Sequence, residues 1–284
     1  MNAESPQNRP VRALSAAAVA LALFATAACS GEESQGAGEA SGDDTLIQVA
    51  SHTTPMTDVV EAAAEVAEAE GYTIELVQVS DNVQYNRLLA DGEVDANFAQ
   101  HEPYMQAYNE ANDAELAVVA PIYNARVGFY SQDYDSLDEI PEGSQIGLPN
   151  DASNEGRALA ILADQGLITL PEGIGFEATL ADVEENPKNI EWVQVDLLNL
   201  TSAYEEDGIA AVFNYPTYIG SLGLTPEDAI AVEENVDERF AISLVANEAD
   251  LDSEKIQVLE DAMTSDEVRD FLVEEHDVTL TPAF

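Results

Sequence analysis

From Thr45 onward the chain alternates short extended runs with segments of helical spacing, and this alternation limits the possible folds more than any other feature. Residues 45–50 read as a strand. Residues 55–70 read as a helix, because Val59, Val60, Ala63, Val66 and Ala67 recur on one face and Gly71 ends the run. A strand over 72–79 follows, then a helix beginning at 86–90, an extended stretch at 94–98, a helix over 102–112 and a strand over 116–122. The pattern restarts after Arg126. It gives strands at 127–130 and 144–148, a helix over 152–165, an extended run at 190–195, a helix at 201–206, and strands at 209–213 and 240–246. Two helices close the chain: 253–263, and one to about 275 behind a Thr264-Ser-Asp-Glu267 capping box. Alternation of this kind predicts an α/β chain with mostly parallel sheets covered on their faces. Two such units, joined by extended crossings near 123–126 and 239–241, predict a bilobed body with a ligand cleft between the lobes. The expected boundaries are 45–125 plus 241–284 for one lobe and 126–240 for the other.

Composition narrows the partners. Nine Lys and Arg stand against 56 Asp and Glu, for a formal charge of −47. That balance excludes nucleic acid, whose binding depends on cations that release counterions. It equally disfavours adhesion to anionic headgroups. His52, His101 and His276 have no H-E-x-x-H spacing, and the chain has one Cys, so zinc chemistry is poorly supplied. No P-loop and no G-x-S-x-G elbow occur. Gly173-Ile-Gly175-Phe-Glu-Ala178 spells a dinucleotide fingerprint, but it follows Leu170-Pro171-Glu172 rather than a strand and reads as a loop with two turn glycines. Neither a cofactor nor a metal is expected.

The start of the chain reads as an export signal over 1–28. Arg9 and Arg12 precede an apolar run at 13–28 that is too short for an ordinary membrane-spanning helix. Thr26-Ala27-Ala28-Cys29 resembles a bacterial lipobox, and Cys29 is the expected lipidation site. The Gly-, Ser- and Glu-rich residues up to 44 then read as a flexible tether. This predicts a lipid-anchored protein on the outer face of a cell membrane.

Two stretches carry candidate binding chemistry. In PNDASNEGRALAIL (149–162), Asp151 or Ser153 can cap a helix whose free N–H groups suit an anion. Arg157 adds a forked donor matched to a carboxylate. A cation in an early helical turn costs up to about 1 kcal/mol, which an anionic ligand would offset. The alternative is a surface arginine paired with an acid such as Glu155. In DANFAQHEPY (95–104), Phe98, His101 and Tyr104 meet at a strand-to-helix junction. They would make a wall for a small amphipathic ligand, or His101 is a satisfied structural residue.

DANFAQHEPY, GSQIGLPNDASNEGRALAIL, QGLITL and DVEENPKNIEWVQV together resemble the NlpA family of substrate-binding lipoproteins, the methionine-binding components of ABC importers. The resemblance covers most of 45–284 and implies a two-lobed periplasmic-binding fold, type II-like, with two crossover segments. Its implied partners are methionine or a related amino acid or small peptide, and an importer's permease and ATPase. It also implies a role for each matching residue. Arg157 matches the arginine that holds the ligand carboxylate, and His101 and Tyr104 match pocket residues. Asn214 resembles the asparagine that contacts the ligand backbone, with Asn154 beside it. Departures occur where aromatics are expected. Ala99 stands just before Gln-His with Phe98 one position earlier, and Asn82 replaces a tyrosine with Tyr85 nearby. Phe98, Tyr85 and Asn82 are therefore the expected side-chain pocket, with a preference open to other amino acids. Two rival readings use the same cleft: an enzyme with His101 as general base, and a surface lipoprotein without a small ligand.

Overall fold

The computed structural model describes residues 44–276 and 279–284. The leader, Cys29 and the tether up to residue 43 lie outside the described residues. The first stretch runs β1 (Leu46–Ser51), α1 (Met56–Ala69), β2 (Thr73–Gln78), α2 (Gln84–Ala90), β3 (Ala96–His101), α3 (Glu102–Asn112) and β4 (Leu116–Ala125). The second runs β5 (Gly128–Tyr130), β6 (Gln145–Pro149), α4 (Ala152–Asp164), β7 (Glu191–Val195), α5 (Leu200–Tyr204), β8 (Ile209–Asn214), α6 (Pro216–Ile219) and β9 (Ala231–Val232). The chain then returns through β10 (Ile242–Asn247), α7 (Glu254–Met263), α8 (Asp266–His276) and β11 (Leu280–Pro282).

These strands form two sheets. One has six strands in the order β11-β4-β10-β3-β1-β2, the other five in the order β7-β6-β8-β5-β9. The chain passes between them after Ala125 and returns before Ile242. Both sheets are mixed, which corrects the mostly parallel expectation. β1 is parallel to β2 and β3, and β6 is parallel to β7 and β8. The antiparallel strands include the two that the crossings deliver. β5 runs against β8, and β10 is inserted between β3 and β4 and runs against both. A strand entered directly from the other lobe needs no helical crossover, so the parallel rule does not bind it.

Element ends follow local chemistry. Asp151 caps α4 by accepting the Asn154 N–H at 2.9 Å, and the His101 ring caps α3 by accepting the Tyr104 N–H at 3.2 Å. The last helix is capped by Ser265, which accepts from the Val268 N–H at 3.3 Å; the Thr264 hydroxyl instead donates back to the Glu260 carbonyl. β9, β11 and α6 have no counterpart in the sequence reading, being two to four residues long.

One glycine decides how α4 is seated. A Cβ on Gly156 would stand 2.0 Å from the Phe176 carbonyl oxygen, so the helix meets the 175–177 turn backbone to backbone. That turn carries Phe176 edge-on against Phe240, with ring centres 4.8 Å apart. Gly156→Ala is therefore expected to destabilise the fold by about 1–3 kcal/mol through overpacking. Urea unfolding monitored by circular dichroism measures this, and an unchanged midpoint would refute the close seating.

Candidate ligand-binding site

The ends of β3, β8 and β10 and the start of α4 converge on a narrow cavity between the two sheets, with about 20 Å³ open to the centre of a water molecule. Its wall is aromatic and aliphatic: Met56, Tyr85, Tyr104, Tyr123, Tyr215 and Tyr218. The polar groups among them come from Asn82, Gln100, His101, Asn154 and Thr217. Rings from both sides meet here. His52 stacks between Tyr85 at 5.8 Å and Tyr218 at 6.1 Å, one ring on each side of the cleft.

A directed chain of hydrogen bonds forms the polar side. Tyr104 N–H donates to His101 Nδ1 at 3.2 Å, so the ring proton sits on Nε2, 3.2 Å from Asn154 Oδ1. The same oxygen accepts from the Tyr215 hydroxyl at 2.8 Å. The Asn154 amide donates to both carboxylate oxygens of Asp151, at 3.0 and 3.1 Å, which fixes its orientation. Behind Tyr215 lies Arg157, fully buried. Arg157 Nη1 donates to the Tyr215 hydroxyl at 3.0 Å, Nη2 to the Ala125 carbonyl at 3.1 Å, and Nε and Nη2 to Glu233 at 2.9 and 2.6 Å. The Phe240 ring covers the guanidinium at 4.4 Å.

A family model described as NlpA lipoprotein matches residues 47–284. The chain belongs to the NlpA lipoprotein family. The Bacillus subtilis methionine-binding lipoprotein MetQ is 36% identical over 239 residues, 83% of this chain and 87% of that protein. The D-methionine-binding lipoprotein MetQ of Escherichia coli K12 is 35% identical over 235 residues, 82% of this chain and 86% of that one. Among solved structures, the methionine-binding protein MetQ superposes with a TM-score of 0.81 at 33% identity, covering 85% of this chain and 99% of that one. A nutrient-binding protein of Burkholderia cenocepacia bound to methionine gives 0.79 at 30% identity, covering 84% and 100%. With the two sheets and two crossings, these likenesses establish the two-lobed periplasmic-binding fold.

In this NlpA-family chain the residues singled out from sequence divide into two groups. Asn82, Tyr85, His101, Tyr104 and Asn154 line the cavity. Phe98, Arg157 and Asn214 do not. Phe98 is buried against Tyr123, edge-on at 5.8 Å, and it is Tyr123 that reaches the cavity. Neighbouring strand residues take opposite faces, so with Ala99 on the cavity side Phe98 turns away. A register shift against β10 at Ala99 lets both Gln100 and His101 reach the wall. Asn214 stands behind Tyr215: its Oδ1 accepts the Tyr215 N–H at 2.9 Å and its Nδ2 donates to Thr201 at 3.0 Å. Arg157 pairs neither with Glu155 nor with open space; its fork closes on Glu233, 76 residues away in sequence. Glu155 instead accepts from the Leu180 N–H and from Gln194. Sequence reading missed Tyr123, Tyr215, Tyr218, His52 and Glu233. Only Tyr215 and Tyr218 carried a local signal, as neighbours of Asn214.

Both histidines at the site are held neutral. Burial, helped by the nearby Arg157 charge, lowers His101 to about 3, and burial lowers His52 to about 4 despite a smaller opposing pull from the Ala99 carbonyl. Burial likewise pushes the Tyr215 hydroxyl up to about 12, with Arg157 pulling the other way. Among the described residues no cluster of three or more His, Cys, Asp and Glu is placed to hold a metal ion, and no helix is long and apolar enough to cross a membrane.

The histidine shifts give a pH dependence with a definite sign. Below the ordinary imidazole value of 6.5 the unfolded chain takes up a proton that folded His52 refuses until about pH 4. The unfolded state then binds more protons, so stability falls as pH falls from 6.5 towards 4. A single histidine contributes a slope of up to about 1.4 kcal/mol per pH unit. In His52→Phe the slope of unfolding free energy between pH 4.5 and 6 should shrink by most of that amount. Urea titrations at several pH values read it, and equal slopes in the two proteins would show that His52 titrates in the fold.

Proposed function

We propose that the chain is the extracytoplasmic substrate-binding component of an ABC importer, with methionine or a closely related amino acid as its solute. The observation that carries this reading is the cavity between the lobes, ringed by tyrosines and Met56 and closed on one side by the His101–Asn154–Tyr215 hydrogen-bond chain. Aromatic edges suit a thioether, each contact adding about 0.3–1.5 kcal/mol. The polar side suits the α-amino and carboxylate groups. Arg157 leaves one of its five N–H donors, on Nη1, without a partner beside Tyr215, so the guanidinium can still contribute to carboxylate binding from behind the wall. Asn214 acts through the Tyr215 backbone. The relatives named for methionine, and the neighbour solved with methionine bound, support the same solute.

Binding without catalysis is the reading that His101 supports. A general base needs a free lone pair and a pKa near the working pH. Here Nδ1 is occupied by the Tyr104 N–H, Nε2 carries the proton, and the ring is held at about 3. Lobe closure over the solute follows the hinge mode of two-lobed carriers, driven by tighter binding to the closed form.

Isothermal titration with L- and D-methionine, after unfolding and refolding to strip any retained solute, tests the assignment. Heat is expected with at least one enantiomer, and Asn154→Ala should weaken it by about 1–3 kcal/mol through loss of a buried hydrogen-bond partner. No heat with either enantiomer would refute methionine. The names of the relatives also support a lipid anchor on Cys29. Labelling with a radioactive fatty acid should therefore be lost in Cys29→Ala, and a labelled variant would remove the anchor from that residue.

A further inference from the structure

We infer that Glu233 is a positioning residue for the pocket: its carboxylate sets the Arg157 guanidinium and, through Tyr215 and Asn154, orients the polar wall that ends at His101. The inference rests on the reading of the cavity as an amino-acid site. Glu233 is not among the residues that line the cavity. It stands out because among the described residues only Glu155 and Glu233 are buried acids. Glu155 is accounted for by its bonds to Leu180 and Gln194. The side chain of Glu233 has one task, both oxygens receiving the guanidinium at 2.9 and 2.6 Å.

The backbone of Glu233 is pinned as well. Its N–H donates to the Val127 carbonyl at 2.9 Å, and its carbonyl accepts from Arg126 Nε at 3.4 Å. Arg157 Nη2 holds the Ala125 carbonyl at 3.1 Å. One ion pair therefore fastens α4 to the end of the first crossing and to the segment that leads into the second.

From there each hydrogen bond has only one possible direction. A guanidinium donates and never accepts, so the Tyr215 oxygen must accept from Arg157 and send its own proton elsewhere. That proton goes to Asn154 Oδ1 at 2.8 Å. The Asn154 NH₂ is spent on Asp151, so Oδ1 must face the cavity, where the His101 Nε2 proton meets it. A glutamine at 233 would keep the shape but turn an NH₂ against the guanidinium, donor against donor. The guanidinium would shift, and the shift would pass along the chain to His101.

The test combines binding with the imidazole nitrogen resonances of His101, which a merely structural role would not move. Wild type and Glu233→Gln are titrated with L-methionine, and their ring ¹⁵N signals are recorded by NMR. The expected result is at least a tenfold loss of affinity with displaced His101 signals, in a variant that keeps its circular dichroism spectrum. Tyr215→Phe, which cuts the chain without leaving a charge unpaired, should displace the same signals. It should also abolish any further effect of Glu233→Gln in the double variant. If Glu233→Gln fails to fold, Tyr215→Phe alone still decides: undisplaced His101 signals in it overturn the proposal. Unchanged or tighter binding in Glu233→Gln overturns it too, tighter binding meaning that Glu233 competes with the ligand carboxylate. Should wild type bind no methionine, the solute assignment fails, whereas the NMR comparison still judges the relay.

Discussion

The buried pair of Arg157 and Glu233 is the constraint around which the site is arranged. Taking two charges out of water costs several kcal/mol per ion, and their attraction repays this only with good geometry and further hydrogen bonds to most of the remaining donors. The geometry here is a two-point fork at 2.9 and 2.6 Å, with Tyr215 and the Ala125 carbonyl taking further donors. The Phe240 face adds a desolvated cation–π contact. Losing one partner would strand the other charge, a change that typically costs 3–5 kcal/mol. The pair lies where the chain passes between lobes, and it ties α4 to both connecting segments.

A neutral pocket surface follows from that arrangement. One compensated pair lies behind the wall and the Asp151 carboxylate holds the Asn154 amide beside it, while the wall itself presents rings, amides and uncharged imidazoles. His101 stays neutral because burial and the Arg157 charge act in the same direction. On the proposed reading, such a wall meets a small zwitterion with dipoles and ring edges. Among the described residues no Asp, Glu, Lys or Arg lines the cavity, so no formal charge stands there unsatisfied.

Much of this was legible in the chain before any coordinates. The helix over 102–112 matches α3, and 152–165 matches α4 within one residue, because apolar spacing and capping residues mark long elements clearly. Short pieces such as β9 and β11 have too few residues for a period to show. Within the site, His101, Tyr104 and Asn154 were readable because motif and cap chemistry are local. Phe98 misled because alternation settles which residues share a face but not which face meets the ligand. Arg157 was conspicuous as a rare cation, yet its partner lies 76 residues away and is one acid among many. A pairing of that kind is visible only once the sheets are folded.

The extreme acidity, which looked like a surface property alone, also bears on access to the cleft. A chain carrying −47 formal charges repels any carboxylate that approaches it. Beside the cavity, and sharing Thr217 and Tyr218 with it, lies an open groove of about 690 Å³ between the lobes. Among the described residues its lining contains hydroxyls from Thr53, Thr54, Thr201, Ser202 and Ser221, together with His52 and His276, and no Asp or Glu; Asp58, which accepts from Thr54, and Asp81, which acts on His52, stand just behind it. The smaller surface depressions elsewhere each include acids, such as Glu110 and Glu177 in one and Asp91 and Asp113 in another. At the mouth of the cleft the nearest described acids are therefore set one side chain back from the lining. Within a screening length of about 8–10 Å the nearest side chains dominate the field. On the proposed reading, a carboxylate-bearing solute entering where the two lobes part first meets hydroxyls and imidazoles in the described lining, with the neighbouring carboxylates behind them.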